Sequence, residues 1–283
     1  MSVLLKGAQV TAALNEKLER RTQELKSQGI LPTLAIVRVG EREDDISYER
    51  GAMKRCEKIG VQVKKILLPA DASQEELLQV IHQINADDSV HGCLLFRPLP
   101  KQMDEEKICR SLDPKKDVDG ITNGSLAGVF TGSGEGYPPC TAQACMEILK
   151  HYGYSLQGKR AVVIGRSLVV GKPAAMMLMG ENATVTICHT RTKEMPALCR
   201  QADILLVAAG KAGAIGKEYL APGQVVLDVG IHVGKDGKLC GDVKFEEAEL
   251  IVKAITPVPG GVGSVTTSVL VKHVVEAASK VKP

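Results

Sequence analysis

Apolar residues fall along this chain in short runs, and between the runs they return at every third or fourth position, the alternation expected of buried strands joined by amphipathic helices. In the first half Leu34–Val39, Val61–Leu68 and Val90–Phe96 predict strands, with helices near residues 8–28, 47–59 and 73–85. In the second half Ala161–Ile164, Thr184–Cys188, Ile204–Ala208 and Val225–Val229 predict strands separated by short helices. Between the two series lies a turn-rich stretch, Asp113–Thr141, with GSGEGYPP inside it. A domain boundary is expected near a helix that starts at Thr141. The last periodic segment, Ser264–Val281, follows another glycine- and proline-rich stretch, TPVPGGVG. This predicts an α/β protein with two wound domains, residues 1–140 and 141–263, closed by a helix over 264–283.

Composition narrows the function classes without choosing one. A chain of 283 residues with 44% hydrophobic content can bury one or two full cores. The net charge of +3 comes from 36 basic and 33 acidic residues spread along the chain, and only 3% of residues are aromatic. No nucleic-acid or membrane-surface partner is suggested. The N-terminal apolar run is too short for a signal peptide and no stretch approaches a membrane span, so a cytoplasmic location is the default expectation. The eight cysteines form no C-x-x-C pair and are expected reduced. The six histidines show no ligand spacing, so no metal is expected.

Five segments carry candidate chemistry. AVVIGRSLVVGKP, residues 161–173, is a strand that breaks into glycine and opens a helix. Its spacing, G-x-x-x-x-x-G, departs from the dinucleotide fingerprint and fits either a tight turn or a phosphate cradle. On the helix around YERGAMKRCEKIG, residues 48–60, Tyr48, Ala52 and Arg55 share one face. HGCLLFRPLP, residues 91–100, ends a strand in two prolines at the edge where open α/β sheets bind ligands. PKKDVDG, residues 114–120, offers Asp117 and Asp119 on one side of an extended segment, without the further ligands of a calcium loop. TPVPGGVG, residues 256–263, suits close approach of backbone to a flat ligand.

Taken together and in order, these motifs resemble the methylenetetrahydrofolate dehydrogenase/cyclohydrolase family. The residues that carry the resemblance are Tyr48 with KRCEKIG, Pro98-Leu99-Pro100, KDVDG at 116–120, PCTAQACMEIL from 139, GRSLVVGKP at 165–173, ATVTICHTRT at 183–192 and ITPVPGGVG at 255–263. The resemblance implies a folate-binding N-terminal domain and a Rossmann-type parallel-sheet NAD(P)-binding domain facing each other across a cleft, with the C-terminal helix returning to the first domain. It also implies a cytoplasmic homodimer of one-carbon metabolism acting on 5,10-methylenetetrahydrofolate and its polyglutamates. By position, Tyr48 would stack on the folate and Asp119 would hydrogen-bond its pterin, the two serving as catalytic residues. Pro98, Leu99, Pro259, Gly260 and Gly261 would line the substrate site. Gly165, Arg166, Ser167 and Val170 would hold the cofactor phosphates, and Ile231 would close over the nicotinamide. Thr190 and Arg191 fall where the adenosine ribose is read. A hydroxyl and two guanidinium groups suit a 2′-phosphate, which favours NADP, with NAD as the alternative.

The sequence also departs from the family pattern. Ala52 stands where the family usually has a lysine, and Phe96 where it usually has a glutamine. Ser264 and Val265 replace the usual proline and methionine. Oxidising an N–CH2–N bridge needs alignment to the nicotinamide, whereas hydrolysing the product needs water activated and protons moved. Alanine and phenylalanine supply neither. Lys54 points to another helix face, Arg55 does not give up its proton, and Arg97 would alternate away from Phe96 on a strand. The expectation is a dehydrogenase with cyclohydrolase activity absent or strongly reduced. A fully bifunctional enzyme, a binding protein without turnover, and a dehydrogenase of similar build with another substrate are the alternatives.

Overall fold

The computed structural model describes residues 2–234 and 237–281 and divides into two compact units. One comprises Ala13–Cys140 with the segment from Thr267, the other Thr141–Thr266 with the segment ending at Ala12. The final two residues of the predicted terminal helix lie outside the described residues.

The first unit is built on a three-stranded parallel sheet ordered Gln62–Leu68, Thr33–Val39, Gly92–Leu95. Every residue of the central strand, TLAIVRV, is buried, because parallel strands covered on both faces are continuous apolar runs. The helix Glu43–Ile59 crosses from the central strand to one edge, and Gln74–Ala86 carries the chain to the other edge. The winding therefore reverses at the carboxyl end of Thr33–Val39. Ala35, Val37, Leu77, Ile81, Cys93, Leu95 and Ile108 belong to one buried cluster on this sheet. The terminal helix Thr266–Lys280 contributes Val269, Leu270, Val271 and Val274, all fully buried.

The second unit is a six-stranded, wholly parallel sheet in the order Val3–Leu4, Ala254–Ile255, Val225–Asp228, Ile204–Val207, Arg160–Ile164, Thr184–Cys188. Its switch point lies between the carboxyl ends of Arg160–Ile164 and Ile204–Val207, where neighbouring strands wind in opposite directions. A small antiparallel hairpin, His232–Val233 with Leu239–Cys240, projects beyond Val225–Asp228.

Three features differ from the sequence expectation. Val3–Leu4, which that reading left in the N-terminal domain, pairs parallel with Ala254–Ile255 in the second sheet. The predicted strand Val90–Phe96 shortens to Gly92–Leu95, because its last residues turn into the proline loop. The stretch expected to be turns contains the helix Asn123–Thr131, capped by Thr122 Oγ1 accepting from the Ser125 amide and ended by Gly132 at φ 69°. Just before that stretch, Glu105–Ser111 is also helical, started by the Asp104 carboxylate accepting from Lys107 N–H.

Candidate functional site

In the first unit the candidate residues gather at the carboxyl end of the three-stranded sheet. The Tyr48 and Phe96 rings meet edge to face, 6.0 Å between centroids and 82° between planes. Ala52, one turn further along the helix, has no exposed surface, and Phe96 is only 9% exposed. Pro98 and Leu99 form a loop held from two sides. The Arg42 guanidinium donates to the Pro98 carbonyl at 3.3 Å, and the Leu99 amide donates to the Glu105 carboxylate at 2.9 Å. Arg97 pairs with the same carboxylate at 3.5 Å. It lies past the end of the strand, so its direction is set by this ion pair and not by strand alternation.

A charge network that the sequence did not announce supports this helix. Glu49, adjacent to Tyr48, accepts from Arg38 Nε at 3.0 Å and lies 2.5 Å from Lys65 Nζ, with both Glu49 and Arg38 buried. Burial alone would raise the Glu49 carboxyl, but the Lys65 and Arg38 contacts overcome it and hold the group below its ordinary value. The helix that carries Tyr48 is thereby fastened to two strands.

Asp119 lies on a segment that runs beside the strand Gly92–Leu95, where the Cys93 amide donates to the Lys116 carbonyl at 2.7 Å. Asp117 is fully buried and accepts the amides of Ile121 and Thr122 at 2.9 and 2.7 Å, a structural turn. The two aspartates that the spacing grouped together thus separate by role. Asp119 has its carboxyl raised to about 6, first by burial and then by the charge of Asp117, with the Cys140 thiol and the charge of Arg97 acting against the rise. Gly120, at φ 69°, passes so close to the chain at Pro139 that a Cβ would sit 2.4 Å from its nitrogen.

In the second unit the glycine loop follows Arg160–Ile164 directly. Gly165 has φ 118°, and a Cβ there would stand 2.3 Å from the Ala208 carbonyl oxygen. A Cβ on Gly171 would stand 2.2 Å from the carbonyl of Gly165. The loop is therefore a compact backbone cradle at the switch point, opening the helix Gly171–Gly180. Ser167 Oγ accepts from the Val170 amide at 3.1 Å, and Arg166 is exposed beside it. Thr190 and Arg191 are exposed on the turn after Thr184–Cys188. His189 shapes that turn: its Nδ1 accepts from the Arg191 amide at 3.1 Å, and its own amide donates to Thr192 Oγ1 at 2.9 Å.

Ile231, Pro259, Gly260 and Gly261 line one pocket of about 200 Å³, together with Asp228 and Leu239. Asp228 accepts from the amides of Gly230, Asp242 and Val243, each at 3.0 Å. Asp242 accepts from the amides of Gly210 and Lys211 at 2.9 and 2.8 Å, and lies 2.7 Å from His232 Nε2. Burial raises Asp228 to about 6 despite its three amide donors, with the charge of Asp242 adding to the rise. These two carboxylates fix the loops on either side of Ile231. The strand-end position of Asp228 was the one sequence signal for them; Asp242 gave none.

Two parallel sheets, one of them doubly wound around a glycine cradle at its switch point, define a two-unit α/β protein with a Rossmann-type nucleotide-binding unit. Comparison with known proteins agrees and is more specific. Residues 139–282 match the tetrahydrofolate dehydrogenase/cyclohydrolase NAD(P)-binding domain, and residues 5–119 match the catalytic domain of the same family. The bifunctional protein FolD of Carboxydothermus hydrogenoformans is 55% identical over 280 residues, covering 98% of this chain and 97% of that one. The bifunctional FolD of Campylobacter jejuni, a crystal structure, is 39% identical with a TM-score of 0.95 and covers 99% of each chain. The FolD of Trypanosoma brucei, solved with NADP and an inhibitor, is 32% identical with a TM-score of 0.91, covering 99% of this chain and 98% of that one. The chain belongs to the tetrahydrofolate dehydrogenase/cyclohydrolase family.

Proposed function

We propose that this protein is an NADP-dependent 5,10-methylenetetrahydrofolate dehydrogenase whose cyclohydrolase activity is absent or strongly reduced. The dehydrogenase half rests on family membership and on the cofactor cradle. Gly165 and Gly171 leave no room for side chains where pyrophosphate would approach, so the residues present fit a dinucleotide. Arg166 and Arg191 are exposed cations suited to phosphate, and no acidic residue occupies the turn His189–Thr192, where a free ribose hydroxyl would call for one. The Trypanosoma brucei relative carries NADP in its structure, which supports the same choice.

Bound NADP supplies a hydride acceptor, and the chain supplies alignment. Tyr48, braced by Phe96, offers a ring face to the pterin, and Asp119 offers a carboxylate to its donor groups. The methylene carbon loses hydride as a nitrogen lone pair forms the amidinium, and no proton carrier is required. Ile231, with Pro259–Gly261, gives an apolar wall suited to a nicotinamide ring. The homodimer and the polyglutamate chain of the substrate belong to this proposal as properties inferred from the family.

The observation that carries the loss of hydrolysis is the state of Ala52 and Phe96. Both are closed by packing, with 0% and 9% exposure, and neither can hold a water or carry a proton. The purified protein is expected to form NADPH from methylenetetrahydrofolate and to leave methenyltetrahydrofolate at the solvent hydrolysis rate. Enzyme-dependent hydrolysis of methenyltetrahydrofolate would sink the loss. It would favour instead the second reading, a fully bifunctional enzyme, which the name of the Carboxydothermus relative supports.

A further inference from the structure

Past the strand Val225–Asp228 the chain runs through Ile231 into the hairpin His232–Val233 with Leu239–Cys240, and a two-residue ladder of this kind has little stability of its own. It is tied down at its first residue. His232, its side chain 25% exposed, places Nε2 2.7 Å from Oδ1 of Asp242, a carboxylate with no exposed surface. An ionised carboxylate only accepts, so Nε2 carries the hydrogen at this contact, whether the ring is neutral or charged. The same carboxylate takes two amides from the loop that follows Ile204–Val207, Lys211 N–H on Oδ1 at 2.8 Å and Gly210 N–H on Oδ2 at 2.9 Å. Oδ1 thus receives two donors and Oδ2 one, within the two lone pairs of each, so all three hydrogen bonds form together. That loop borders the glycine cradle, since the Ala208 carbonyl is the group a Cβ on Gly165 would strike. Ile231 itself is 58% exposed, and its far contact is the glycine-rich loop, where a Cβ on Gly263 would stand 2.8 Å from Ile231 Cδ1. Packing covers less than half of this side chain, whereas the next residue is anchored.

We propose that His232 is a positioning residue for hydride transfer: through Asp242 it locks the Ile231 wall to the loop beside the glycine cradle, so that the wall keeps one place against the nicotinamide ring. The proposal rests on the reading of Ile231 as that wall. Backbone holds Asp242 from the other direction, its amide donating to the Asp228 carboxylate at 3.0 Å and its carbonyl accepting from Ile215 N–H at 3.0 Å. The carboxylate is therefore a fixed anchor, and His232 is the side chain that joins the Ile231 segment to it. Hydride transfer requires the two carbons in near contact and in line, so a displaced wall costs rate without disturbing phosphate contacts at the glycine cradle.

The test compares His232→Ala and His232→Gln with the unaltered enzyme, reading kcat, the isotope effect with deuterium on the substrate methylene, NADP affinity by calorimetry, and the thermal midpoint. For His232→Ala, kcat is expected to fall about 3- to 10-fold, the worth of one hydrogen bond, and the isotope effect to grow as hydride transfer becomes the slow step. NADP affinity and KM for methylenetetrahydrofolate are expected to stay within about 2-fold. Glutamine presents an N–H donor where histidine has Nε2, so His232→Gln is expected to recover most of the rate. A folded alanine variant with the original kcat and isotope effect overturns the proposal. So does an alanine variant whose loss lies wholly in NADP affinity, or a glutamine variant as slow as alanine. Nitrogen NMR of the unaltered, cofactor-free protein needs no variant: the His232 ring is expected to carry hydrogen on Nε2, and a ring with hydrogen on Nδ1 alone overturns the proposal. Ile231→Ala separates the two readings. If it keeps kcat and the isotope effect, the nicotinamide wall itself fails and the proposal falls with it; if it lowers kcat while His232→Ala does nothing, the proposal alone fails.

Discussion

Asp119 is where function and stability pull apart. Its carboxyl titrates near 6 in the folded protein, above the ordinary aspartate value of 3.8, so the folded state binds that proton more tightly than the unfolded chain does. The stability it contributes is full below 3.8 and is lost as pH rises through about 6. Asp119→Asn is therefore expected to gain roughly 1–3 kcal/mol in denaturant unfolding at pH 8, to lose that gain near pH 4, and to bind folate poorly. Ala52 obeys a related logic. Ala52→Lys alone would bury an ammonium at a position with no exposed surface and is expected to lower stability by several kcal/mol. Ala52→Lys with Phe96→Gln supplies a polar partner, and that pair is the change expected to restore hydrolysis of methenyltetrahydrofolate. At the cofactor turn, Arg191→Ser is expected to raise KM for NADP about 10- to 100-fold while leaving NAD nearly unaffected, since only the former has a 2′-phosphate to lose.

At the scale of elements, the helix that carries Tyr48 owes its placement to Glu49, which ties it to Arg38 and Lys65 on two strands. Glu49→Ala would leave the buried Arg38 guanidinium unpaired and is expected to cost about 3–5 kcal/mol in an unfolding titration. This carboxyl is lowered, so its contribution is present above its ordinary value of 4.5 and is lost as pH falls through the folded value, opposite in sign to Asp119. Thr33–Val39, Gly92–Leu95, Arg160–Ile164, Ile204–Val207 and Val225–Asp228 were legible in the sequence to within one or two residues because strands buried on both faces must be continuous apolar runs. Asn123–Thr131 was not, since two glycines and small polar residues look like a loop until Thr122 and Gly132 are seen to cap it. Val3–Leu4 is too short to show any period. Tyr48, Phe96, Asp119 and the glycine loop stood out as motifs. Cys140 Sγ and His273 Nδ1, 3.9 Å apart beside the Val118 carbonyl, are 133 residues apart in sequence, and no local pattern relates them.

At the scale of the whole molecule, the terminal helix is part of the first unit although the chain reaches it last. Val269, Leu270, Val271, Val274 and Val275 are at most 1% exposed, and burying side chains of this size is worth about 1.5–3 kcal/mol each. Their sum rivals the stability of a domain. Deleting the chain from Thr267 is expected to melt the first unit, with near-complete loss of folate binding read by fluorescence titration and a matching drop in helical ellipticity. The partnership of Val3–Leu4 with Ala254–Ile255 has a different consequence, one of timing. The first strand leaves the ribosome with its hydrogen-bonding neighbour about 250 residues from being made, which at roughly 5–20 residues per second is a wait of some tens of seconds. Throughout that interval the nascent chain presents an unpaired sheet border and a core without its closing helix. Both units are completed by segments late in the sequence, Ala254–Ile255 and Thr266–Lys280, so the partly made chain is the form most in need of a chaperone.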